Sequence, residues 1–555
     1  MKLNKTGLNK LSLSKSRLSL IVVILLSALF SWWLMSSTFG YQDGQFLVDS
    51  KLWSDFGAHL PLIRSFSLGN NFPPEYPQFA HEPIRYHYLF YMLVGGLERL
   101  GLNLALSLNL VSAFGLTGLL VMIYQLANLV SRRKSAGWLA WVLFLLNGSL
   151  VYLFYFNESG FGWSSLVGVS QLKHFVQFGP WNGDPISAFW NWNILTNQRH
   201  LAFSFSLILF LVWPLLKTSF SKDKQFLLNR RWLLFIWFGL ILLPFFHQAS
   251  YVLTVGLIGG WLVLNPRLIK QFGWVYGLGL LYSLPGWWYF FQLGGSSLQF
   301  KLGFLAADRS LTGIFSYWLL NLGYYWLLLP VLFVIGDWPR RKLLLVFLSF
   351  FLLANLTQLS ADMINNHKLV NFFQIGLVVL VADFLVQMWQ AGWLIKLVVI
   401  VWIPFLTFSG VVDAFPIVND YGGAVSDIAR SPASQWILAE TKPDAVFILE
   451  DHFYHPALLA GRRSFVDYGY FAWSLGYDDD LRRQKIDQIF SAEIDQAQWC
   501  QLVKLSEVDY LALTRSSTKS SAYQTSWLVK TQQPVYQDQT SLIYSYRQIC
   551  QEDQI

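Results

Sequence analysis

Apolar segments alternate with short polar segments over residues 1–412. Most of the apolar segments approach the roughly 20 residues that a helix needs to cross a bilayer. The first begins at Leu18 after a basic N-terminus, and its length predicts an uncleaved first helix rather than a signal peptide. The later segments lie near residues 136–156, 199–217, 232–247, 250–265, 273–293, 313–336, 343–359, 368–389 and 392–411.

The topology follows from the basic residues between these segments. Clusters such as Arg132–Lys134 and Arg340–Lys342 face the cytoplasm by the positive-inside rule, as does the N-terminus. Residues 86–130 must then cross once or three times, although their length suggests two helices with a break near residues 98–103. We therefore expect an odd number of transmembrane helices, about 11 to 13, with outer loops at 39–85 and 157–198.

The composition changes at about Asp413 to that of a water-soluble domain. Helix and strand patterns alternate in SPASQWILAETKPDAVFILE, DDDLRRQKIDQIF, VDYLALT and SLIYSY. Residues 413–555 are thus predicted to form an α/β domain on the extracytoplasmic side. Its two cysteines, Cys500 and Cys550, could pair in an oxidising compartment or remain free thiols.

The composition agrees with a mainly α-helical multi-pass protein of the plasma membrane. Hydrophobic residues make up 54% of the chain and charged residues 13%, against about 25% charged in soluble proteins. The net charge of +8 is spread over short runs, without the aromatic-basic modules that bind nucleic acids. We expect membrane lipid, and no nucleic acid, among the partners.

The densest polar chemistry lies in the outer segment 53–89. Asp55 and His59 are four residues apart, which puts both on one face of a helix. The carboxylate could act as a general base or bind a divalent cation, with the imidazole orienting it. Alternatively, Asp55 caps the helix and His59 is an interface residue.

HEPIRYHY, at the end of this segment, supplies Glu82, Arg85 and His87. Glu82 could be a second acid, and Arg85 and His87 could contact a phosphate. The alternative is a salt bridge at the membrane boundary.

Two further pairs open predicted spans at the outer face. Arg199 with His200, and His367 with Lys368, could bind a phosphate or a lipid headgroup. An exposed lysine that only reaches the interface is the alternative for Lys368.

The order of these features resembles the integral-membrane glycosyltransferases of the GT-C fold, including the protein mannosyltransferase-like and aminoarabinose transferase-like groups. The resemblance rests on the basic N-terminus with one span, the outer loop with Asp55 and His59, the HEPIRYHYLFYMLVGG entry, and the C-terminal ASQWILAE, VDYLALT and SLIYSY. The second acid of that family would be Glu82 or Asp49 here.

This resemblance implies inverting transfer of a sugar from a polyprenyl-phosphate-linked donor to a glycan, lipid or protein acceptor at the extracytoplasmic face. Asp55 would be the base or a metal ligand, with Mg²⁺ or Mn²⁺ left open as a cofactor and no metal site assigned. The outer arginines, histidines and lysine would contact the phosphate. A transporter or flippase for lipid-linked glycans is the alternative, because it would use the same cationic surface without chemistry.

Overall fold

The chain forms two compact units in the computed structural model, which describes residues 5–178, 183–221, 228–293, 298–450, 453–514 and 526–550, with backbone only for 5–16. The helical unit comprises Met1–Thr38, Asn109–Trp287 and Ser297–Asp420. The mixed unit comprises Phe39–Leu108, Trp288–Ser296 and Tyr421–Ile555. The outer loop 39–85 therefore belongs to the same unit as the C-terminal region, and the chain changes units after residue 420.

The helical unit is built from helices packed around a continuous apolar core. One of them, Met363–Met388, is almost wholly buried and lies at the centre, whereas Arg17–Thr38 is largely exposed at the periphery. The helices are α1 Lys5–Thr38, α4 Leu104–Ser131, α5 Lys134–Leu145, α6 Val151–Ser159, α7 Trp163–Val169, α8 Trp192–Asn197, α9 Arg199–Phe220, α10 Arg230–Phe246, α11 Gln248–Leu264, α12 Ile269–Leu293, α13 Leu311–Leu322, α14 Tyr324–Ile335, α15 Trp338–Leu356, α16 His367–Met388 and α17 Trp393–Val418, with a short hairpin of β3 Gln299–Phe300 and β4 Thr357–Gln358. The first residues of α4 and the last of α12 belong to the mixed unit.

Several helices are long and apolar enough to cross a membrane. Within the described ranges five meet both criteria, or up to seven if each of two bent helix pairs counts as one span. The chain is therefore a multi-pass membrane protein, but the predicted count of about 11 to 13 spans is not reached by this measure. The difference arises because several predicted spans are short, bent or interrupted.

One of these interruptions has a clear physical cause. The predicted span 313–336 bends by 102° at Gly323, which has a φ of +55°. A Cβ there would lie 3.1 Å from the carbonyl oxygen of Gly148, so glycine permits both the bend and the close approach. The predicted span 136–156 is likewise broken between α5 and α6.

The mixed unit joins the first outer loop to the C-terminal region through a shared sheet. β1 Phe39–Gln42 pairs with β2 Gln45–Asp49, which pairs in turn with β5 Gly422–Ser426, all antiparallel. Two helices, α2 Trp53–Ser67 and α3 Leu89–Arg99, follow β2 along the chain. The expected break in residues 86–130 falls between α3 and α4, and α3 is too short to span.

The C-terminal region has the predicted mixture of helices and strands. Its elements are α18 Pro432–Glu440, β6 Val446–Leu449, α19 Pro456–Leu459, β7 Arg463–Ser464, α20 Gly469–Ser474, α21 Asp480–Ile489, α22 Gln496–Leu505, β8 Tyr510–Thr514, α23 Trp527–Thr531, β9 Tyr536–Gln537, β10 Ser541–Ser545 and α24 Tyr546–Ile549. The five strands form one sheet in the order β7-β6-β8-β10-β9. Strand β6 is parallel to both β7 and β8, whereas β10 is antiparallel to both β8 and β9. Cys500 and Cys550 form a disulfide with a Cα–Cα distance of 5.8 Å.

Candidate functional site

Helix α2 carries the first predicted pair of site residues. The helix begins at Trp53, so Asp55 lies in its first turn, where a carboxylate interacts favourably with the helix dipole. Asp55 is half-buried and His59, one turn further on, is buried. The predicted helical spacing of the pair is therefore present, and Asp55 is partly exposed at the start of the helix.

Three tyrosines lie within electrostatic range of Asp55: Tyr86, Tyr91 and Tyr454. Tyr454 is fixed by a 2.5 Å hydrogen bond from its hydroxyl to the carbonyl oxygen of Trp53. Desolvation raises the pKa of Tyr86 and of Tyr454, and the nearby carboxylate raises it further. These phenols therefore stay protonated near Asp55 over the whole physiological range.

The two imidazoles predicted in this region lie among the same rings. The ring of His59 is 5.1 Å from that of Tyr91, and the ring of His87 is 6.2 Å from it. His87 also packs against its neighbour Tyr86, with a ring separation of 3.6 Å. The structure thus brings Asp55, His59 and His87 together around a tyrosine cluster.

Glu82 and Arg85 form an ion pair with a separation of 3.3 Å. Arg85 also stacks over the ring of Tyr477 at 4.4 Å and donates to the carbonyl oxygen of Gly476. The hydroxyl of Tyr477 donates to the carbonyl oxygen of Pro83 at 2.8 Å. These contacts agree with the alternative of a salt bridge between Glu82 and Arg85. Arg85 also contacts Gly476 and Tyr477 of the C-terminal region.

The buried carboxylate Asp467 of the mixed unit was not anticipated from the sequence. Asp467 accepts a 2.6 Å hydrogen bond from the side-chain amide of Gln78, which also donates to the carbonyl oxygen of Gly57 in α2. Tyr76 is within electrostatic range of both Asp467 and Tyr86. Asp467 therefore lies near the same aromatic cluster as Asp55.

In the helical unit, His200 and His247 form a second group. His200 lies at the start of α9 and His247 between α10 and α11, with their rings 5.0 Å apart. The Nδ1 atom of His247 lies 2.6 Å from the hydroxyl of Ser250. Lys368 and His367 at the start of α16 are within electrostatic range of His247. These four side chains form the histidine–lysine cluster.

Lys368 is buried, with 6% of the residue exposed, which disagrees with the alternative of an exposed interface lysine. Its ammonium donates to the side-chain oxygen of Asn365 at 3.2 Å. The adjacent His367 has its Nδ1 atom 2.7 Å from the oxygen of Asn371 and its ring against Phe189. A buried ammonium among imidazoles is a feature of binding sites more than of interfaces.

Arg199 is buried and contacts the protein with all three of its guanidinium nitrogens. Nη2 donates to the carbonyl oxygen of Met35 and to the hydroxyl of Thr38, both at 3.0 Å. Nη1 donates to Asn109 and Nε to the carbonyl oxygen of Thr196. The described contacts of Arg199 are thus structural, joining the end of α1 to α4 and α9.

An apolar groove of about 330 Å³ runs between α9 and α10. Two of its lining residues adjoin the histidine–lysine cluster, since Phe246 directly precedes His247 and Phe203 follows His200 by less than one helical turn. The rings of Phe203 and Phe246 stack at 5.1 Å. The other lining residues are Leu207, Leu234, Phe235, Phe238, Gly239 and Leu242.

The fold is that of known membrane glycosyltransferases. The chain aligns with the crystal structure of ArnT from Cupriavidus metallidurans bound to undecaprenyl phosphate, at 10% identity and a TM-score of 0.52, over 95% of this chain and 98% of that one. It also aligns with arabinofuranosyltransferase AftD from Mycobacteria, at 13% identity and a TM-score of 0.51, over 94% of this chain and 40% of that one. No protein-family profile and no curated protein matches the sequence. The predicted GT-C fold is confirmed by these similarities.

The sequence alone assigns no role to three residues of these groups. His247 was one of several histidines near predicted span ends, and only its position beside His200 distinguishes it. Tyr454 and Asp467 lie about 400 residues from the α2 segment that they approach. The only sequence signal for them is their place in an aromatic-rich part of the C-terminal region.

Proposed function

We propose that this protein transfers a sugar from a polyprenyl-phosphate-linked donor to an acceptor hydroxyl at the extracytoplasmic face of the membrane, with inversion. The observation that carries the proposal is the half-buried Asp55 on α2, which lies within electrostatic range of the protonated tyrosines Tyr86 and Tyr454. The fold supports it, because the ArnT structure with the same fold holds undecaprenyl phosphate.

Asp55 serves as the general base in this scheme. Its carboxylate takes the proton of the acceptor hydroxyl while the hydroxyl oxygen attacks the anomeric carbon of the donor sugar. The bond from that carbon to the phosphate oxygen breaks, and polyprenyl phosphate leaves. A single displacement inverts the anomeric carbon, and a positioned base contributes typically 10² to 10⁴-fold.

The other residues of the mixed unit have supporting roles in the proposal. His59, one helical turn from Asp55, orients the carboxylate. Glu82 is the candidate second acid, held by its ion pair with Arg85. The phenol of Tyr86 stays protonated near the carboxylate, and Tyr454 holds the start of α2 through its hydrogen bond to Trp53.

The tyrosines near Asp55 do not suit a hard divalent cation. Mg²⁺ and Mn²⁺ take carboxylate, carbonyl and water oxygens, whereas Tyr86, Tyr91 and Tyr454 are neutral phenols. We therefore assign the base role to Asp55 and derive no step through a metal. Turnover should persist in excess EDTA.

The helical unit contains two features that suit the lipid part of the donor. The groove between α9 and α10 is apolar throughout and offers a surface for part of a prenyl chain. The adjoining histidine–lysine cluster offers an ammonium and three imidazoles to a phosphate at the end of that chain. Arg199 is left out of the phosphate set because its guanidinium contacts the protein.

The disulfide supports an extracytoplasmic position for the C-terminal region. Structural disulfides form in oxidising compartments and are rare in the cytosol. Cys500 and Cys550 are bonded in the part of the mixed unit that follows residue 421. The basic N-terminus correspondingly remains cytoplasmic by the positive-inside rule.

The test compares the purified wild type with Asp55→Asn, measuring release of polyprenyl phosphate from lipid-linked sugars. We expect turnover to fall by about 10² to 10⁴-fold, with thermal stability little changed. Asp43→Asn is the matched control, because Asp43 lies in the exposed turn between β1 and β2. Equal turnover in Asp55→Asn would remove this residue from the mechanism, and lipid binding without turnover of any donor would favour a transporter.

A further inference from the structure

An aromatic surface of the mixed unit has no role in the scheme above. Tyr468, Tyr470 and Trp473 lie in the stretch DYGYFAWS at and within α20, and their side chains are 38%, 49% and 48% exposed. The rings of Tyr470 and Trp473, three residues apart on the helix, are 5.7 Å apart. We call these three residues the aromatic platform. Clustered exposed aromatic rings on a water-facing domain usually mark a binding surface.

Phe453 packs against the platform and supports it. The ring of Phe453 packs edge-on against Tyr468 at 4.9 Å and stacks with Phe471 at 5.7 Å. It also packs directly on Gly57 of α2, where an added Cβ would come within 2.8 Å of it. The platform is thus held by the helix that carries Asp55, and the residue after Phe453 is Tyr454, one of the tyrosines near that carboxylate.

A polar rim borders the platform. Arg483 forms a 2.6 Å ion pair with Asp479 and donates through Nη2 to the backbone oxygen of Asp467. Both side chains lie beside Gly469, the first residue of α20, where an added Cβ would meet them at 3.0 to 3.1 Å. Asp478 and Asp480 flank Asp479 and are exposed. The rim therefore offers charged acceptors and a guanidinium donor next to flat apolar rings.

We propose that the aromatic platform binds a neutral saccharide, which in the reaction proposed above is the acceptor glycan. The C–H face of a sugar ring is apolar and packs on tyrosine and tryptophan rings, while its hydroxyls both donate and accept hydrogen bonds. Carboxylates accept from hydroxyls and the arginine donates to them. The saccharide identity rests on the platform alone, and only its role as acceptor rests on the proposed function.

The charge of the rim argues against a bilayer as the occupant. Tyrosine and tryptophan also anchor proteins at membrane interfaces. Anionic lipid headgroups attract basic segments, whereas three consecutive carboxylates at residues 478–480 would be repelled by them. A neutral, hydroxyl-rich ligand meets no such repulsion.

The test measures saccharide binding directly, with the full-length protein in nanodiscs. Fluorescently labelled neutral oligosaccharides built from hexoses or from pentoses are titrated against wild type, Trp473→Ala and Tyr470→Ala. We expect at least one oligosaccharide to bind the wild type, and both aromatic variants to bind it at least tenfold more weakly. Tyr421→Ala is the control, because Tyr421 is an exposed aromatic residue of the same unit that lies outside the platform. We expect this variant to bind like the wild type.

Three results would overturn the proposal: no binding of any oligosaccharide by the wild type, affinities in Trp473→Ala and Tyr470→Ala within twofold of wild type, or loss of binding in Tyr421→Ala as well. The part of the tryptophan fluorescence that disappears in Trp473→Phe comes from Trp473. Quenching of that fluorescence by brominated lipids would assign the platform to the membrane instead. Failure of the transferase reaction with saccharide binding intact would overturn only the proposed function. If both hold, Trp473→Ala should raise the KM for the acceptor and leave slow hydrolysis of the donor unchanged.

Discussion

The hydroxyl of Tyr454 donates a 2.5 Å hydrogen bond to the backbone carbonyl oxygen of Trp53, the first residue of helix α2. The two residues are separated by 401 positions in the chain. The rings of the same pair meet edge-to-face at 4.6 Å. Because Asp55 follows two residues after Trp53, this contact determines where a protonated phenol lies relative to the proposed base.

Tyr454→Phe should lower turnover by acting on the position of Asp55. The variant keeps the ring contact with Trp53 but removes the hydroxyl, leaving a partly buried carbonyl with one hydrogen bond fewer. We expect kcat to fall about tenfold, with little change in KM, and the free energy of unfolding to fall by about 1 kcal/mol. Steady-state kinetics and thermal unfolding measure the two effects.

Tyr536→Phe is the matched control for this prediction. The hydroxyl of Tyr536 donates to Asp538 at 2.7 Å in the short strand β9. Its loss should also cost stability, but it should leave kcat unchanged. Equal effects of the two substitutions on kcat would mean that Tyr454 acts only through overall stability.

The elements of the fold could largely be predicted from hydrophobic pattern and local signals. The apolar run 199–217 became α9 Arg199–Phe220, and VDYLALT became β8 Tyr510–Thr514. Both follow from local sequence, because a helix or strand shows its period within one segment. The bend at Gly323 could not be predicted in this way, since it depends on the approach of Gly148 from another part of the chain.

The candidate site was less predictable for the same reason. Asp55 and His59 could be paired from their spacing on one helix. The hydrogen bond from Gln78 to Asp467 joins residues 389 positions apart, and no local pattern indicates it. The burial of Lys368 likewise depends on the packing of α16 at the centre of the helical unit.

Lys368→Met should weaken binding of the lipid phosphate while the protein remains folded. Methionine fills a similar volume without a charge, and replacing a buried charged group by an apolar one is often neutral for stability. We expect the KM for the lipid-linked donor to rise at least tenfold, because a charge-assisted contact to the phosphate is lost. Binding of polyprenyl phosphate to the purified variant measures this directly. A large loss of thermal stability with unchanged lipid affinity would give Lys368 a structural role.

Leu242→Trp should obstruct the groove between α9 and α10 and so discriminate between donors by chain length. Leu242 lines the groove and is 40% exposed, so the larger ring fills space rather than a packed core. We expect the KM to rise for a long-chain donor and to change little for a donor with two isoprene units. Val263→Trp on α11 is the control, because Val263 is 73% exposed and lies outside the groove lining. Equal effects on both donors would mean that the prenyl chain binds elsewhere.

The buried ion cluster of the mixed unit predicts a pH-dependent effect of Glu98→Gln. Arg64 contacts Asp427 at 2.8 Å and Glu98 at 3.3 Å, and Ser67 donates to Glu98 at 2.6 Å. Burial raises the pKa of Glu98 above its usual value of 4.5, although Arg64 and Ser67 act in the opposite direction. A carboxyl group whose pKa is higher in the folded than in the unfolded protein stabilises the fold at acid pH. This contribution to the free energy of unfolding is lost as the pH rises through the raised pKa.

The wild type should therefore lose stability relative to Glu98→Gln as the pH rises above about 4.5, the usual pKa of this carboxyl group. Glutamine keeps the hydrogen bond with Ser67 and is never charged, so it avoids the cost of ionising a buried group. Thermal unfolding of both proteins at several pH values from about 5 to 9 measures the difference. The control is Glu440→Gln at the exposed end of α18, which should shift stability by less than about 0.5 kcal/mol at every pH. A difference that is constant, or that grows in favour of the wild type with rising pH, would show that the ion pair with Arg64 outweighs the burial of Glu98.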